Sequence, residues 1–192
     1  MRGRYYFPFG QPFTSLKLKI CIQPNKFIIL LAMNPNSKLI VYGMIGPMGS
    51  GKTTLALKIA KETGALFQSL DGTIKSFNEP IGDLAGYERL MPKALDLMYT
   101  NSLNALKNER DVVFDVARWP WLMDLANEVD ANIQIYHFNI STEERWRRVQ
   151  KRNHEKIENV YHFTMSKEEF DRQDPRRNLP SPMPGLTLIE VT

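Results

Sequence analysis

The chain contains 192 residues, 43% of them hydrophobic, which is enough for one domain with a full core. A single cysteine excludes an intramolecular disulfide, and no apolar run approaches the roughly 18 residues of a membrane-spanning helix. The net charge of +4 resides in residues 1–37, which carry five basic and no acidic side chains, so the rest of the chain is close to neutral. Broad binding to nucleic-acid backbones is therefore not favoured, and we expect a cytoplasmic protein without a membrane partner.

Residues 1–37 are rich in aromatic residues and proline and follow neither the helical nor the strand period. Their apolar residues are interrupted by polar ones such as Lys19 and Lys26, unlike the continuous apolar stretch of a signal peptide. We predict a poorly ordered extension that precedes a domain at 38–192. The alternatives are an added edge strand and a targeting segment, and a translation start at Met33 would also produce this pattern.

Residues 46–53 match the pattern G-x-x-x-x-G-K-[ST] at every fixed position; their order is Gly46, Pro47, Met48, Gly49, Ser50, Gly51, Lys52 and Thr53. Glycines let the backbone turn around an oxyanion with its N–H groups pointing inward, and the following helix adds the positive end of its dipole. We expect Lys52 to reach the β- and γ-phosphates and the Thr53 hydroxyl to hold Mg²⁺. Residues 46–53, with Thr54, are therefore predicted to bind the phosphates of a nucleotide.

The residues on either side have the structure that this motif requires. Residues 39–45 are apolar and rich in β-branched side chains, which predicts a buried strand, and residues 54–61 have the pattern of an amphipathic helix. The alternative is a glycine-rich turn that binds nothing. The succession of strand, loop and helix favours the phosphate-binding interpretation.

The rest of the chain alternates between predicted strands and helices. Strands are predicted at 65–70, 111–115, 133–140 and 186–191, helices at 87–107, 120–129 and 142–155, a short helix from about 166, and an irregular loop at 73–86. Because parallel neighbours need crossover connections, this order predicts an α/β fold of three layers. A sheet of about five parallel strands has helices on both faces and a small helical lid at about 142–180. Its ligands are expected at the carboxyl ends of the strands.

Four features together resemble a known family: the phosphate loop, Asp71 after the second predicted strand, the strand ending at Asp115, and an arginine-rich helix at 144–153. On these features, residues 38–192 are similar to the P-loop kinase-like, AAA-type ATP-binding proteins related to polynucleotide kinases, zeta toxins and chloramphenicol phosphotransferases. The resemblance implies the fold of a P-loop NTPase and an ATP- and Mg²⁺-dependent kinase.

The resemblance implies that Asp71 accepts the proton of the acceptor hydroxyl, because such kinases place an acid after this strand. Phosphoryl transfer requires the protein mainly to position the nucleophile and to neutralise charge. The alternative for Asp71 is a turn residue, since Asp-Gly is a common turn pair. Lys75 resembles a basic residue that contacts an anionic group of the acceptor; its alternative is a solvated lysine.

Asp115 resembles the acid that binds Mg²⁺ through water, opposite Thr53, in this family. Its alternative is a strand-ending residue that caps the next turn. The family commonly continues with an aromatic residue, a glycine and a tryptophan, and here only Trp119 matches. An arginine usual a few positions later is absent, which puts that part of the acceptor pocket in doubt, and Arg118 is a candidate to compensate.

The helix at 144–153 resembles the lid helix of the family. Arg145, Arg148 and Arg152 follow the spacing i, i+3, i+7 and so share one helix face. Bidentate guanidinium groups suit the oxygens of a triphosphate and can stabilise charge on the transferring phosphoryl group. The catalytic residues implied are therefore Lys52, Asp71, Arg148 and Arg152, with Arg145 less favoured. The alternative is a solvated basic face paired with neighbouring glutamates.

Three functions remain open from the sequence. The first is a kinase that phosphorylates a hydroxyl of a small-molecule or nucleotide-like acceptor. The second is a nucleotide-binding switch or toxin-like regulator, whose partner surface matters more than turnover. The third is a 5′-hydroxyl nucleic-acid kinase, which the nearly neutral domain disfavours. The sequence identifies neither the acceptor nor a preference for ATP over GTP.

Overall fold

A computed structural model describes residues 18–20, 39–79, 84–116, 119–155, 165–172 and 185–192. Its strands form a six-stranded sheet in the order β1-β6-β5-β2-β4-β3, and all neighbours pair in parallel. The strands are β1 (Leu18–Ile20), β2 (Ile40–Ile45), β3 (Leu66–Gln68), β4 (Val112–Phe114), β5 (Asn132–Phe138) and β6 (Leu186–Val191). The five strands predicted at 39–191 are thus confirmed as one parallel sheet.

Six helices accompany the sheet in the described ranges. They are α1 (Lys52–Thr63), α2 (Leu70–Ser76), α3 (Leu84–Lys107), α4 (Trp119–Glu128), α5 (Thr142–Glu155) and α6 (Lys167–Arg172). None of the helices so described is both long and apolar enough to cross a membrane. The four longer helices α1, α3, α4 and α5 lie where the sequence predicted them.

The two faces of the sheet carry two apolar clusters. On one face Val41, Val112 and Ile135 pack with buried residues of α3 and α4, whereas on the other Tyr42, Met44 and Val113 pack with buried residues of α1. Successive side chains of a strand point to opposite faces, so a strand buried on both sides must be apolar throughout. This explains why β2 and β4 are continuous apolar runs, and it confirms the three-layer arrangement.

One local prediction was wrong. Residues 73–86 were predicted as an irregular loop, but α2 extends to Ser76 and α3 begins at Leu84. The cause is Ser69, whose hydroxyl accepts a hydrogen bond from the Gly72 N–H at 3.2 Å and so caps a helix that includes Asp71.

The N-terminal segment contributes one described element. The strand β1 pairs in parallel with β6 in the register Leu18 to Ile189, so these three residues lie at the edge of the sheet. The other residues of 1–37 lie outside the described ranges. The domain boundary at residue 38 stays a prediction.

Candidate active site

The loop between β2 and α1 has the conformation that its glycines allow. Gly49 and Gly51 have φ angles of +77° and +100°, where a side chain would be strained. A Cβ atom on Gly49 would also lie 2.5 Å from the backbone oxygen of Arg145, and one on Gly46 would lie 2.8 Å from the Cβ of Phe138. The loop is therefore packed against β5 and α5, and Gly51 caps the N-terminus of α1.

Lys52 lies at the first position of α1 and turns back over the loop. Its Nζ donates hydrogen bonds to the carbonyl oxygens of Gly46 and Pro47, both at 2.9 Å. The ammonium group is thus held at the cavity surface beside the helix N-terminus, where N–H groups and the helix dipole also favour an anion. The Lys52 ammonium and the helix N-terminus thus lie side by side, as a phosphate-binding site requires.

A cavity of about 820 Å³ opens beside this loop at the carboxyl ends of β2, β3 and β4. Its lining includes most of the predicted site residues: Pro47, Met48, Gly49, Gly51, Lys52, Thr53, Thr54, Asp71, Asp115, Arg148 and Arg152. Gly46 and Ser50, which also belong to the loop, are buried and do not line the cavity. The structure thus brings the four predicted catalytic residues together, although their roles stay predictions.

Asp115 and Thr53 face each other across the cavity floor. The Thr53 hydroxyl donates to Asp115 Oδ2 at 3.4 Å, and the Asp115 residue is only 7% exposed. The pKa of the Asp115 carboxyl is raised to about 6, mainly by burial and to a lesser extent by the nearby Asp71, although hydrogen bonds from Ser69 and the Leu70 N–H act to lower it.

This pair fits the predicted magnesium site in its chemistry. Mg²⁺ prefers oxygen ligands and is commonly held by one or two protein groups together with substrate phosphates. Within the described ranges no group of three or more His, Cys, Asp or Glu residues is positioned to hold a metal. The buried Asp115 carboxylate and the adjacent Thr53 hydroxyl supply the oxygen ligands expected for a Mg²⁺ ion that is also bound by a phosphate.

Asp71 occupies the first turn of α2, not a turn after the strand as its Asp-Gly sequence suggested. The Tyr87 hydroxyl, from α3, donates a hydrogen bond to Asp71 Oδ1 at 2.7 Å. Both residues are half-buried and line the cavity. Asp71 therefore presents a carboxylate to the cavity from a helix whose start is fixed by the Ser69 cap.

Two arginines of α5, Arg148 and Arg152, line the cavity, whereas Arg145 does not. Arg148 donates from Nε to Glu144 at 2.7 Å and from Nη1 to the Ser50 carbonyl oxygen at 3.2 Å. The Arg152 guanidinium lies 3.4 Å from the Met48 sulfur, and burial lowers its pKa while the charge of Asp71 raises it. Both side chains line the cavity. They place positive charge opposite Asp71 and above the loop.

Arg145 does not line the cavity. It is 3% exposed, and its guanidinium donates to the Met48 carbonyl oxygen at 3.4 Å and to the Thr142 hydroxyl at 3.2 Å. The guanidinium carbon also lies 5.0 Å from the centre of the Phe170 ring. These contacts join the phosphate loop, α5 and α6, so they favour a structural role for Arg145.

Other predicted residues contribute less. Lys75 is exposed and does not line the cavity, and Arg118 lies outside the residues whose side chains are described. The cavity has five lining residues that the sequence did not single out as site residues: Leu57, Leu70, Tyr87, Val116 and Val149. Tyr87 belongs to no sequence motif. Its proximity to Asp71 depends on how α2 packs against α3, so the sequence could not reveal it.

Comparisons with known proteins agree with this arrangement. A family model described as an AAA domain matches residues 41–180. The fold is similar to that of a protein from Chloroflexus aurantiacus assigned as a kinase, at 15% identity and a TM-score of 0.61, over 81% of this chain and 84% of that chain. It is also similar to Chaetomium thermophilum Kti12 in complex with ADP-AlF3, at 19% identity and a TM-score of 0.50, over 79% and 88% of the chains. No curated protein matches the sequence.

Proposed function

Because this chain belongs to the AAA domain family and has the fold of P-loop kinases, we propose that it is an ATP- and Mg²⁺-dependent kinase. It transfers the γ-phosphoryl group of ATP to a hydroxyl of a small-molecule or nucleotide-like acceptor. One observation carries the proposal: the same cavity is lined by the phosphate loop, the Asp71 carboxylate, Arg148 and Arg152. A nucleotide-binding protein requires only the loop, whereas phosphoryl transfer also requires a group that positions the acceptor and cations that offset charge.

The loop and its lysine hold the triphosphate. Backbone N–H groups and the Lys52 ammonium attract the β- and γ-phosphates, which are stronger acceptors than the two carbonyl oxygens that Lys52 contacts. Thr53 and Asp115 would hold Mg²⁺, which when bound neutralises charge on the phosphate oxygens. This part of the site fixes the phosphoryl group that is transferred.

Asp71 acts on the acceptor. The acceptor oxygen supplies an electron pair to the γ-phosphorus, the bond between the γ-phosphorus and the bridging oxygen breaks, and ADP leaves with the electron pair of that bond. The hydroxyl proton passes to the Asp71 carboxylate, which also orients the hydroxyl before transfer. The products are the phosphorylated acceptor, ADP and one proton.

Arg148 and Arg152 stabilise the charge on the transferring group. Arg148 lies over the loop through its contact with the Ser50 carbonyl oxygen, and Arg152 approaches from the next turn of α5. Guanidinium groups bind phosphate oxygens with two parallel hydrogen bonds, and their charge is effective where water is partly excluded. Their positions on one helix allow both to contact the same phosphoryl group.

The test is a screen for transferred phosphate. A metabolite extract, supplemented with oligonucleotides that carry 5′-hydroxyl groups, is incubated with Mg·ATP and protein, and mass spectrometry detects components that gain one phosphate. Lys52→Ala is expected to abolish the gain. Asp71→Asn is expected to lower the rate by about 100-fold, in the range of general acid-base contributions, while calorimetry shows an affinity for Mg·ATP close to that of the parent.

Three results would contradict the proposal at different points. Well-folded protein that binds Mg·ATP but phosphorylates no component is a nucleotide-binding protein and not the kinase proposed. An Asp71→Asn variant that transfers phosphate at the parent rate leaves the kinase intact but removes the role given to Asp71. A product confined to the oligonucleotides would identify a nucleic-acid kinase instead of one for small acceptors.

A further inference from the structure

The hydrogen bond between Tyr87 and Asp71 is a feature of the cavity that no motif accounts for. The phenol comes from α3 and the carboxylate from α2, two helices that pack together along the cavity. The oxygen distance of 2.7 Å is typical of a well-formed O–H···O bond. The bond engages Asp71 Oδ1, which leaves Oδ2 to meet an acceptor.

The charges around Asp71 show why its orientation needs to be held. Asp71 interacts electrostatically with the like-charged Asp115 and with the oppositely charged Arg152. A direct ion pair between Asp71 and Arg152 would remove both groups from their proposed roles. The ion pairs within the described ranges do not include Asp71 with Arg152. The structure therefore keeps the two charges apart, and the Tyr87 hydroxyl is hydrogen-bonded to the Asp71 carboxylate.

We propose that Tyr87 is a positioning residue for phosphoryl transfer, whose hydroxyl holds Asp71 in the orientation that accepts the proton of the acceptor. The inference rests on the kinase function proposed above. Tyr87 itself neither gains nor loses a proton during the step. The acceptor proton moves to Asp71 as the new bond from oxygen to phosphorus forms and ADP departs.

The variant Tyr87→Phe removes the hydroxyl and keeps the ring. We expect the turnover number for phosphate transfer from [γ-³²P]ATP into the metabolite extract to fall about tenfold, since small misplacement of a reacting group has large kinetic effects. The KM for ATP and the calorimetric affinity for Mg·ATP are expected to stay within about twofold, because the bond does not involve the phosphate loop. This split between turnover and KM is not expected of a merely structural role.

Tyr99→Phe is a matched control on the same helix. Its hydroxyl also donates to a carboxylate, Glu128 Oε2 at 3.0 Å, but the pair lies on the exposed surface away from the cavity. This variant is expected to transfer phosphate at the parent rate. If Tyr99→Phe and Tyr87→Phe lowered turnover equally, the loss would be general and the proposal would be overturned.

Two further measurements make the test specific for Asp71. In an Asp71→Asn background, Tyr87→Phe is expected to cause little additional loss, because the group that it positions is already gone. 4-Aminophenylalanine at position 87 restores a hydrogen-bond donor and is expected to recover most of the turnover. Parent-like turnover of Tyr87→Phe, full additivity with Asp71→Asn, or no recovery would each overturn the inference, whereas an inactive parent would instead refute the kinase function.

Discussion

Replacement of Asp115 by asparagine tests whether the proposed metal site is kept at a cost in stability. The pKa of the Asp115 carboxyl is about 6 in the folded protein and 3.8 without the protein environment, mainly because of burial. A carboxyl with a raised pKa favours the protonated form, so its ionised form destabilises the folded state. The shift of roughly two pKa units corresponds to about 3 kcal/mol.

The sign of the effect depends on pH. Well below pH 3.8 the carboxyl is protonated in both the folded and the unfolded chain, so it costs nothing. As pH rises from about 4 to 6 the unfolded chain ionises more readily, and stability is lost until the full cost is reached above about pH 6. Asp115→Asn removes this titration, so the variant is expected to be more stable by up to about 3 kcal/mol at pH 8 and no more stable at a pH of about 3.

The assay is urea unfolding without nucleotide or Mg²⁺, followed by circular dichroism at a series of pH values. Asp124→Asn on the exposed surface of α4 is the control and is expected to change stability by less than about 0.5 kcal/mol at every pH. An Asp115→Asn protein that is less stable than the parent at pH 8, or whose difference from the parent does not depend on pH, would refute the reasoning.

Two further predictions concern the loop and the lid helix. Gly49→Ala is expected to lower the free energy of unfolding by about 3 kcal/mol, because the new Cβ atom would lie 2.5 Å from the Arg145 backbone oxygen. Gly64→Ala is the control, since Gly64 has a similar positive φ but no atom within 4 Å of the new Cβ. It is expected to cost about 1 kcal/mol in the same urea experiment. Arg148→Met is expected to slow phosphate transfer at least about tenfold. Arg147→Met is the control, because Arg147 contacts the same glutamate, Glu144, but does not line the cavity. It is expected to leave the rate unchanged in the same transfer assay.

The fold was predictable because its signals are local. The strands β2 and β4 are buried on both faces and therefore read as apolar runs, and α5 begins with a capping sequence. The helix α2 was missed because Asp71 and Gly72 form a common turn pair, and the decisive signal was the preceding Ser69. The edge position of β1 depends on pairing with β6, which lies far away in the chain.

The site was predictable to the extent that its residues form motifs. The phosphate loop fixes Lys52 and Thr53 by sequence alone, and the family resemblance, which the AAA domain match confirms, indicated Asp71 and Asp115. The spacing of the arginines predicted a shared helix face but could not separate Arg145 from the others. That separation depends on the packing of α6, where the Phe170 ring covers the Arg145 guanidinium.

The electrostatics of the cavity explain why a single ligand, a nucleotide with Mg²⁺, would stabilise the charged forms of both Asp115 and Arg152. Burial raises the pKa of Asp115 and lowers that of Arg152, so desolvation opposes the charged form of both. Pairing the two directly would relieve this cost but would leave neither available to a ligand. A nucleotide with Mg²⁺ brings a cation for Asp115 and phosphate oxygens for Arg152, so its binding would offset both costs at once. The same balance predicts that Asp115→Asn gains stability and loses Mg²⁺-dependent nucleotide binding together.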